Sequence, residues 1–226
     1  MLFTEKDSTI YKNAKIIRRG VRDMYQVKDK IAFLEQNLSK KRFLHSCNVA
    51  RAAKMLAQRY GADQEKAYFA GLLHDVCKEM PFDRQKDLML SGDFAPDEAE
   101  LHSRKLWHGI AGAYFLQSEF GVTDRDILNA VRFHTVGRPG MSLLEEIIYI
   151  ADMISDERDY KGVAKMRKLA FEDLQEAMLT ALTDAIGSVL KKEGLIPQYT
   201  IAAYNGYLLN KHLDETTNAK KGSSAE

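Results

Sequence analysis

Residues 71–80 read GLLHDVCKEM, with His74 and Asp75 side by side behind two leucines. The run is apolar and helical in pattern. Successive residues on a helix point about 100° apart, so neighbours do not share a face in mid-helix. At a helix end that rotation relaxes. Cys77, Lys78 and Pro81 predict that the helix finishes just after Asp75, where two adjacent side chains can reach one point. An imidazole and a carboxylate buried together are costly without partners. The stretch therefore asks what they meet.

Working outward, the dominant period is 3.6 residues and strand-like alternation is scarce, which predicts an all-α protein. A first core helix is expected over about 27–38. A second runs from near His45 to Tyr60, with Gly61 ending it and Asp63 capping the next. Residues 81–105 are polar and read as a short helix plus a loop. A small-residue helix follows in LWHGIAGAYFLQSEFG, and Thr123 is expected to cap DRDILNAVRFHT. SLLEEIIYIADMI, ending at Ile154, is the most apolar helix and hence central. Two more helices are expected over about 163–192 and 200–213. Residues 1–25 read as an extension, 26–213 as the domain, and the polar tail 214–226 as disordered.

The chain has 226 residues and a net charge of +1, which argues against a general electrostatic nucleic-acid binder. Cys47 and Cys77 lack metal-site spacing, and a reducing cytoplasm fits them best. No long apolar run or leader-like segment is visible, so neither a membrane partner nor a nucleic-acid partner is expected.

His45, His74, Asp75, His108, His134 and Asp152 each stand on, or at the end of, an apolar helical face. Singly, each reads as a core or cap residue. Together, four imidazoles and two carboxylates satisfy one another most economically around a cation. Nitrogen with carboxylate oxygen suits iron, manganese or zinc better than calcium or magnesium.

The order His45, His74-Asp75, Asp152 resembles the HD-domain metal-dependent phosphohydrolases. GLLHDVCKEM, LWHGIAGAYFL and AVRFHTVGRPGMSLLEEIIYIADMISDERDYKGVAKMRKLA resemble one branch, the YqeK-like symmetrical diadenosine tetraphosphate hydrolases, over about residues 27–209. Two departures stand out. Ser155-Asp156 replaces the family's Glu-Pro, with Asp156 or Glu157 as the candidate substitute. The first 25 residues also exceed the usual family start.

The resemblance implies an HD-domain helical bundle in which His45, His74, Asp75 and Asp152 ligate a metal. Iron is expected, as one or two ions, with manganese, cobalt or zinc as alternatives. His108 and His134 either complete a second metal position, with Asp75 bridging, or contact substrate phosphate. Asp75 and Lys78 are the expected catalytic residues. Nucleotide contacts are expected from His45, Lys78, His108, His134, Thr135, Asp152, Arg158 and the stretch Gln198, Tyr199, Thr200, where a helix N-terminus caps a phosphate. Lys40 to Arg42 reads as a solvated junction.

The implied activity is hydrolysis of diadenosine tetraphosphate to two ADP. Expected partners are a dinucleoside polyphosphate and its ADP product, with a homodimer as a candidate assembly. The rivals are another HD-type nucleotide phosphohydrolase or phosphodiesterase, and a non-catalytic nucleotide-sensing HD module.

Overall fold

The computed structural model describes residues 27–223, and every regular element among them is helical. The extension expected over 1–25 lies outside the described residues. The helices are α1 (Val27–Asn37), α2 (Lys40–Tyr60), α3 (Gln64–Leu73), α4 (Phe82–Ser91), α5 (Glu98–Leu101) and α6 (Trp107–Ser118). They continue as α7 (Arg125–Phe133), α8 (Leu143–Ile154), α9 (Val163–Glu172), α10 (Leu174–Leu190) and α11 (Gln198–Ser223).

The boundaries follow from capping chemistry. Ser39 Oγ accepts from the Arg42 amide, so α2 starts at Lys40, earlier than expected, and Arg42 joins the helix one turn before His45. Gly61 ends α2 at φ 75°, in the left-handed region that favours glycine. Asp63 caps α3. Asp124, rather than Thr123, caps α7 by accepting from the Asp126 amide. Ser142 and Glu145 form a reciprocal capping box at the start of α8.

Two expectations on the C-terminal side are corrected. The helix expected over 163–192 is broken at Asp173, whose backbone is extended and whose carboxylate caps α10 at the Glu176 amide. An aspartate competes well with the helical backbone for its own amides, so it reads as a break and a new start. The tail expected to be disordered from 214 instead continues α11 as helix to Ser223.

Helix α8 is central, with Leu144 and every residue from Ile147 to Ala151 buried, and it contacts α2, α3, α7, α9 and α10. It is the most apolar helix by sequence, as suits a helix packed on several sides.

Two glycines set the spacing that the site needs. A Cβ on Gly71 would meet the Ala50 Cα at 3.0 Å, so α2 and α3 touch backbone to backbone. A Cβ on Gly109 would meet the Arg132 carbonyl at 3.0 Å, so α6 and α7 do the same. The first contact brings His45 toward His74; the second brings His108 toward His134.

Candidate metal centre

Helix α3 stops at Leu73, slightly before the end expected from sequence. The chain continues in tight turns, with the Val76 amide on the Leu73 carbonyl (3.0 Å) and the Lys78 amide on the Asp75 carbonyl (2.9 Å). Three-residue turns place positions i and i+3 in register, so Lys78 comes to the side of Asp75. Glu79 fastens this segment to the start of α2, accepting from the Ser39 amide (2.6 Å) and hydroxyl (2.7 Å).

His45, His74, Asp75, His108 and His134 are all buried, and Asp152 stands at the edge with its side chain 21% exposed. The structure brings all six expected residues together. His45, His74 and Asp152 each bring a donor atom within 4.8 Å of the others, and His74, Asp75 and His134 do likewise. Asp75 lies between two sets of imidazoles. Its Oδ2 is 3.6 Å from His45 Nε2 and 3.5 Å from His74 Nε2. Its Oδ1 is 3.2 Å from His108 Nε2 and 3.6 Å from His134 Nε2.

The outer nitrogens fix the tautomers. His74 Nδ1 donates to the Gly71 carbonyl and His134 Nδ1 to the Val131 carbonyl, each at 2.7 Å. Their Nε2 lone pairs must therefore point inward. His45 Nε2 lies 3.2 Å from His74 Nε2 and 3.0 Å from Asp152 Oδ1. His108 Nε2 lies 3.1 Å from His134 Nε2. Asp75 Oδ1 is buried with no hydrogen-bond partner of good geometry. Lone pairs of nitrogen and carboxylate oxygen thus converge with too few protons to separate them. A divalent cation resolves that conflict, and the mixed N/O donor set suits a first-row transition metal.

The electrostatics agree for two of the rings. Burial pushes the His108 imidazole down to about 4, against the opposing pull of Asp75. Burial also lowers His134, so both rings stay neutral, as ligands must. His45 is raised: burial lowers it, but hydrogen bonds with Asp152 and Glu157 more than offset that. Burial works against ionisation of Asp75 and Asp152, yet the surrounding histidines hold both carboxyls well below the usual range, with Arg158 adding to the effect on Asp152.

Charged side chains ring the cluster. Arg42 donates to Asp75 Oδ2 at 2.7 Å. The reading of Lys40 to Arg42 as a solvated junction is therefore corrected for Arg42. Its i, i+3 spacing from His45 on one helix was the signal available in the sequence. Lys78 Nζ is 3.1 Å from His108 Nε2 and 4.0 Å from Asp75 Oδ1. Arg158 donates through Nε to the Asp152 carbonyl (2.8 Å) and pairs with the Asp152 carboxylate. Its fork is thus anchored on a site carboxylate. Glu157 accepts from His45 Nδ1, while Asp156 turns outward to Arg51 at 2.9 Å.

Beside the cluster lies a cavity of about 430 Å³ lined by His134, Thr135, Asp152, Arg158 and Tyr160 among others. A second, of about 510 Å³, shares Thr135 and Ala185 with it. The second is mostly apolar and carries Arg104, Lys105 and Lys192; none of the described residues lining it is acidic.

Thr135 stands where the cavities meet, its Oγ1 buried without a partner. Thr200 lines the second cavity, but Gln198 and Tyr199 do not. The first amide of α11, on Gln198, already donates to Asp97 at 2.6 Å, and the Tyr199 ring packs on Phe133. A carboxylate occupies the helix N-terminus where a phosphate was expected.

The HD domain family model matches residues 42–156. The chain belongs to the HD-domain family. This HD-domain protein is 39% identical over 175 residues to the symmetrical bis(5'-nucleosyl)-tetraphosphatase of Bacillus subtilis (strain 168), covering 77% of this chain and 94% of that relative. The enzyme of that name from Halalkalibacterium halodurans is 38% identical over 181 residues, covering 80% and 96%. Among solved structures, a predicted HD superfamily hydrolase involved in NAD metabolism from Clostridium acetobutylicum superposes with a TM-score of 0.78. It is 41% identical, with 81% of this HD domain protein and 97% of that chain covered. All four metal-ligand residues assigned from sequence lie within the matched segment, His45 near its start and Asp152 near its end.

Proposed function

We propose that this protein is a metal-dependent hydrolase that cleaves diadenosine tetraphosphate symmetrically to two ADP. The observation that carries the metal-dependent part is the convergence of unprotonated Nε2 atoms and carboxylate oxygens around Asp75. The substrate assignment rests on the extent of the likeness to symmetrical tetraphosphatases, over nearly their full length.

In this reading His45, His74, Asp75 and Asp152 hold the principal cation, which we take to be iron. His108 and His134, facing the other oxygen of Asp75, hold a second ion. When bound, a divalent cation there acidifies water and draws charge from phosphoryl oxygens. The protein supplies the rest. Lys78 and Arg158 offer charge to the non-bridging phosphoryl oxygens. Thr135 offers an unpartnered hydroxyl at the seam between the cavities. The cavity beside the cluster and the one that adjoins it at Thr135 give a dinucleotide room.

Water adds across the central P–O–P bridge. Its oxygen joins the attacked phosphorus, the bridging oxygen leaves with the other ADP, and a proton is released. Symmetry requires that the attacked phosphorus lie two phosphates from an adenosine. No helix among the described residues is long and apolar enough to cross a membrane, and we place the activity in the cytoplasm.

Chromatography of products from anaerobically purified, metal-analysed protein tests the proposal. ADP as sole product supports it. AMP with ATP contradicts symmetrical cleavage and favours another nucleotide phosphohydrolase. Tight dinucleotide binding by metal-replete protein without turnover identifies a sensor instead.

A further inference from the structure

Glu157 stands apart from the cluster of ligand atoms, yet it is built into the cluster's support. Its Oε1 accepts the Nδ1 proton of His45. Asn48 Nδ2 donates to its Oε2 at 2.5 Å, and Ser155 Oγ donates to Oε1 at 2.7 Å. Nδ1 and Nε2 lie on opposite edges of an imidazole, so this carboxylate sits behind His45 while Nε2 faces Asp152.

The other imidazoles are held differently. His74 and His134 rest their Nδ1 protons on backbone carbonyls, Gly71 and Val131. Only His45 of these three is backed by a full negative charge. An anionic partner fixes the ring's tautomer and rotation and makes the inward nitrogen a stronger donor. Asn48, one turn along α2 from His45, and Ser155, just past α8, hold the carboxylate in place.

We infer that Glu157 is the positioning residue for His45, setting the affinity of the centre for its cation. The inference rests on the metal-centre part of the proposed function and not on which nucleotide is cleaved. It also assigns the departure in this sequence. Where the resembled family has Glu-Pro, this chain has Ser155-Asp156, and the carboxylate comes from the next residue. Ser155 becomes its hydrogen-bond donor. Asp156 does not reach His45: its side chain is 77% exposed and pairs outward with Arg51, which in turn donates to Asn48 Oδ1.

Competition of Mn(II) against a chelating dye tests this on the full chain. Glu157→Gln keeps the shape and can still accept the His45 proton, but removes the charge. It should weaken metal affinity by about 10-fold, and Glu157→Ala by about 100-fold. Asp156→Ala should leave the affinity unchanged. At saturating metal, Glu157→Gln should lower kcat more than it raises KM for diadenosine tetraphosphate. The melting temperature of the metal-free protein should hardly move, because a side chain 27% exposed at a loop contributes little to the core. Wild-type metal affinity in Glu157→Gln overturns the inference, and so does an equal loss in Asp156→Ala. Should Glu157→Ala fail to fold, the glutamine variant still decides. The affinity readout is independent of the substrate, so loss of metal binding with any product pattern supports the inference while the product pattern alone judges the activity.

Discussion

Two buried polar clusters in this protein follow opposite rules. Arg132 and Glu100 are almost wholly sealed from solvent and answer each other with two parallel hydrogen bonds, 2.7 and 2.8 Å long. Opposite charges meet donor to acceptor, and of the guanidinium only Nε goes unpartnered. Around Asp75, by contrast, Arg42 donates to one oxygen, but the inward Nε2 atoms of His74 and His134 face the carboxylate acceptor to acceptor. The backbone closeness that seats Arg132 beside α6 also brings His108 toward His134, as the approach of α2 and α3 at Gly71 brings His45 toward His74. The first cluster balances its charges within the chain. The second is complete only with a cation, and that difference separates a residue set kept for folding from one kept for chemistry.

The largest effect should come from breaking the incomplete cluster. His74→Ala and Asp75→Ala are expected to lose bound metal and with it all measurable hydrolysis of diadenosine tetraphosphate. Metal analysis and product chromatography read both. Because a ligand that binds only the folded state stabilises it by mass action, about 2.7 kcal/mol at a hundredfold excess over Kd, a chelator should lower the melting temperature of the wild type. It should leave that of Asp75→Ala where it was. A chelator response undiminished in the variant would place the cation elsewhere.

The complete cluster should respond in stability instead. Glu100→Gln leaves a buried guanidinium without its counter-charge and should cost about 3–5 kcal/mol, measured by urea unfolding of the metal-free protein. Replacing both members with apolar residues, Arg132→Met with Glu100→Leu, should cost far less. If the single variant unfolds with unchanged stability, the contrast drawn between the clusters collapses.

Arg158 joins the two kinds of behaviour, since it is paired with Asp152 yet lines the cavity. Arg158→Ala should retain metal and raise KM by about 10- to 100-fold. That matches the roughly 1.5–3 kcal/mol typical of a hydrogen bond to a charged group. Loss of metal in this variant would move Arg158 from substrate contact to ligand support.

The site was more legible in the sequence than its surroundings. His45, His74, Asp75, His108, His134 and Asp152 were legible as a set: each alone reads as a core or cap residue, but six ionisable groups on apolar faces are costly without one another. The central place of α8 followed from its being the most apolar helix in the sequence. Arg42 was missed because its role depends on α2 starting at Lys40, and that start depends on the Ser39 cap. Glu100 and Arg132 were missed because a charge pair 32 residues apart leaves no local periodicity. The partner of the Gln198 amide at the start of α11 was illegible for a similar reason. The group that fills it, Asp97, comes from a polar loop whose path no pattern specifies.

A third buried carboxylate gives the smallest test, because it is neither paired with a cation nor aimed at one. Glu146 accepts from Tyr207 Oη (2.5 Å) and from Gln175 Nε2 (2.9 Å). Burial raises its pKa above the ordinary 4.5, the hydrogen bonds from Tyr207 and Gln175 only partly offsetting this. The folded state therefore binds this proton more tightly than the unfolded state does. Stability from Glu146 is fully present below the unfolded value of 4.5 and declines as pH rises through the higher folded value. The slope within that window cannot exceed about 1.4 kcal/mol per pH unit for one proton. Glu146→Gln removes the titration. Urea unfolding of both metal-free proteins across that window should show the wild type losing ground to the variant as pH rises from 4.5, then running parallel to it. Parallel behaviour throughout would mean that Tyr207 and Gln175 compensate Glu146 as fully as Arg132 compensates Glu100, leaving the Asp75 cluster as the one polar centre compared here that the chain does not complete by itself.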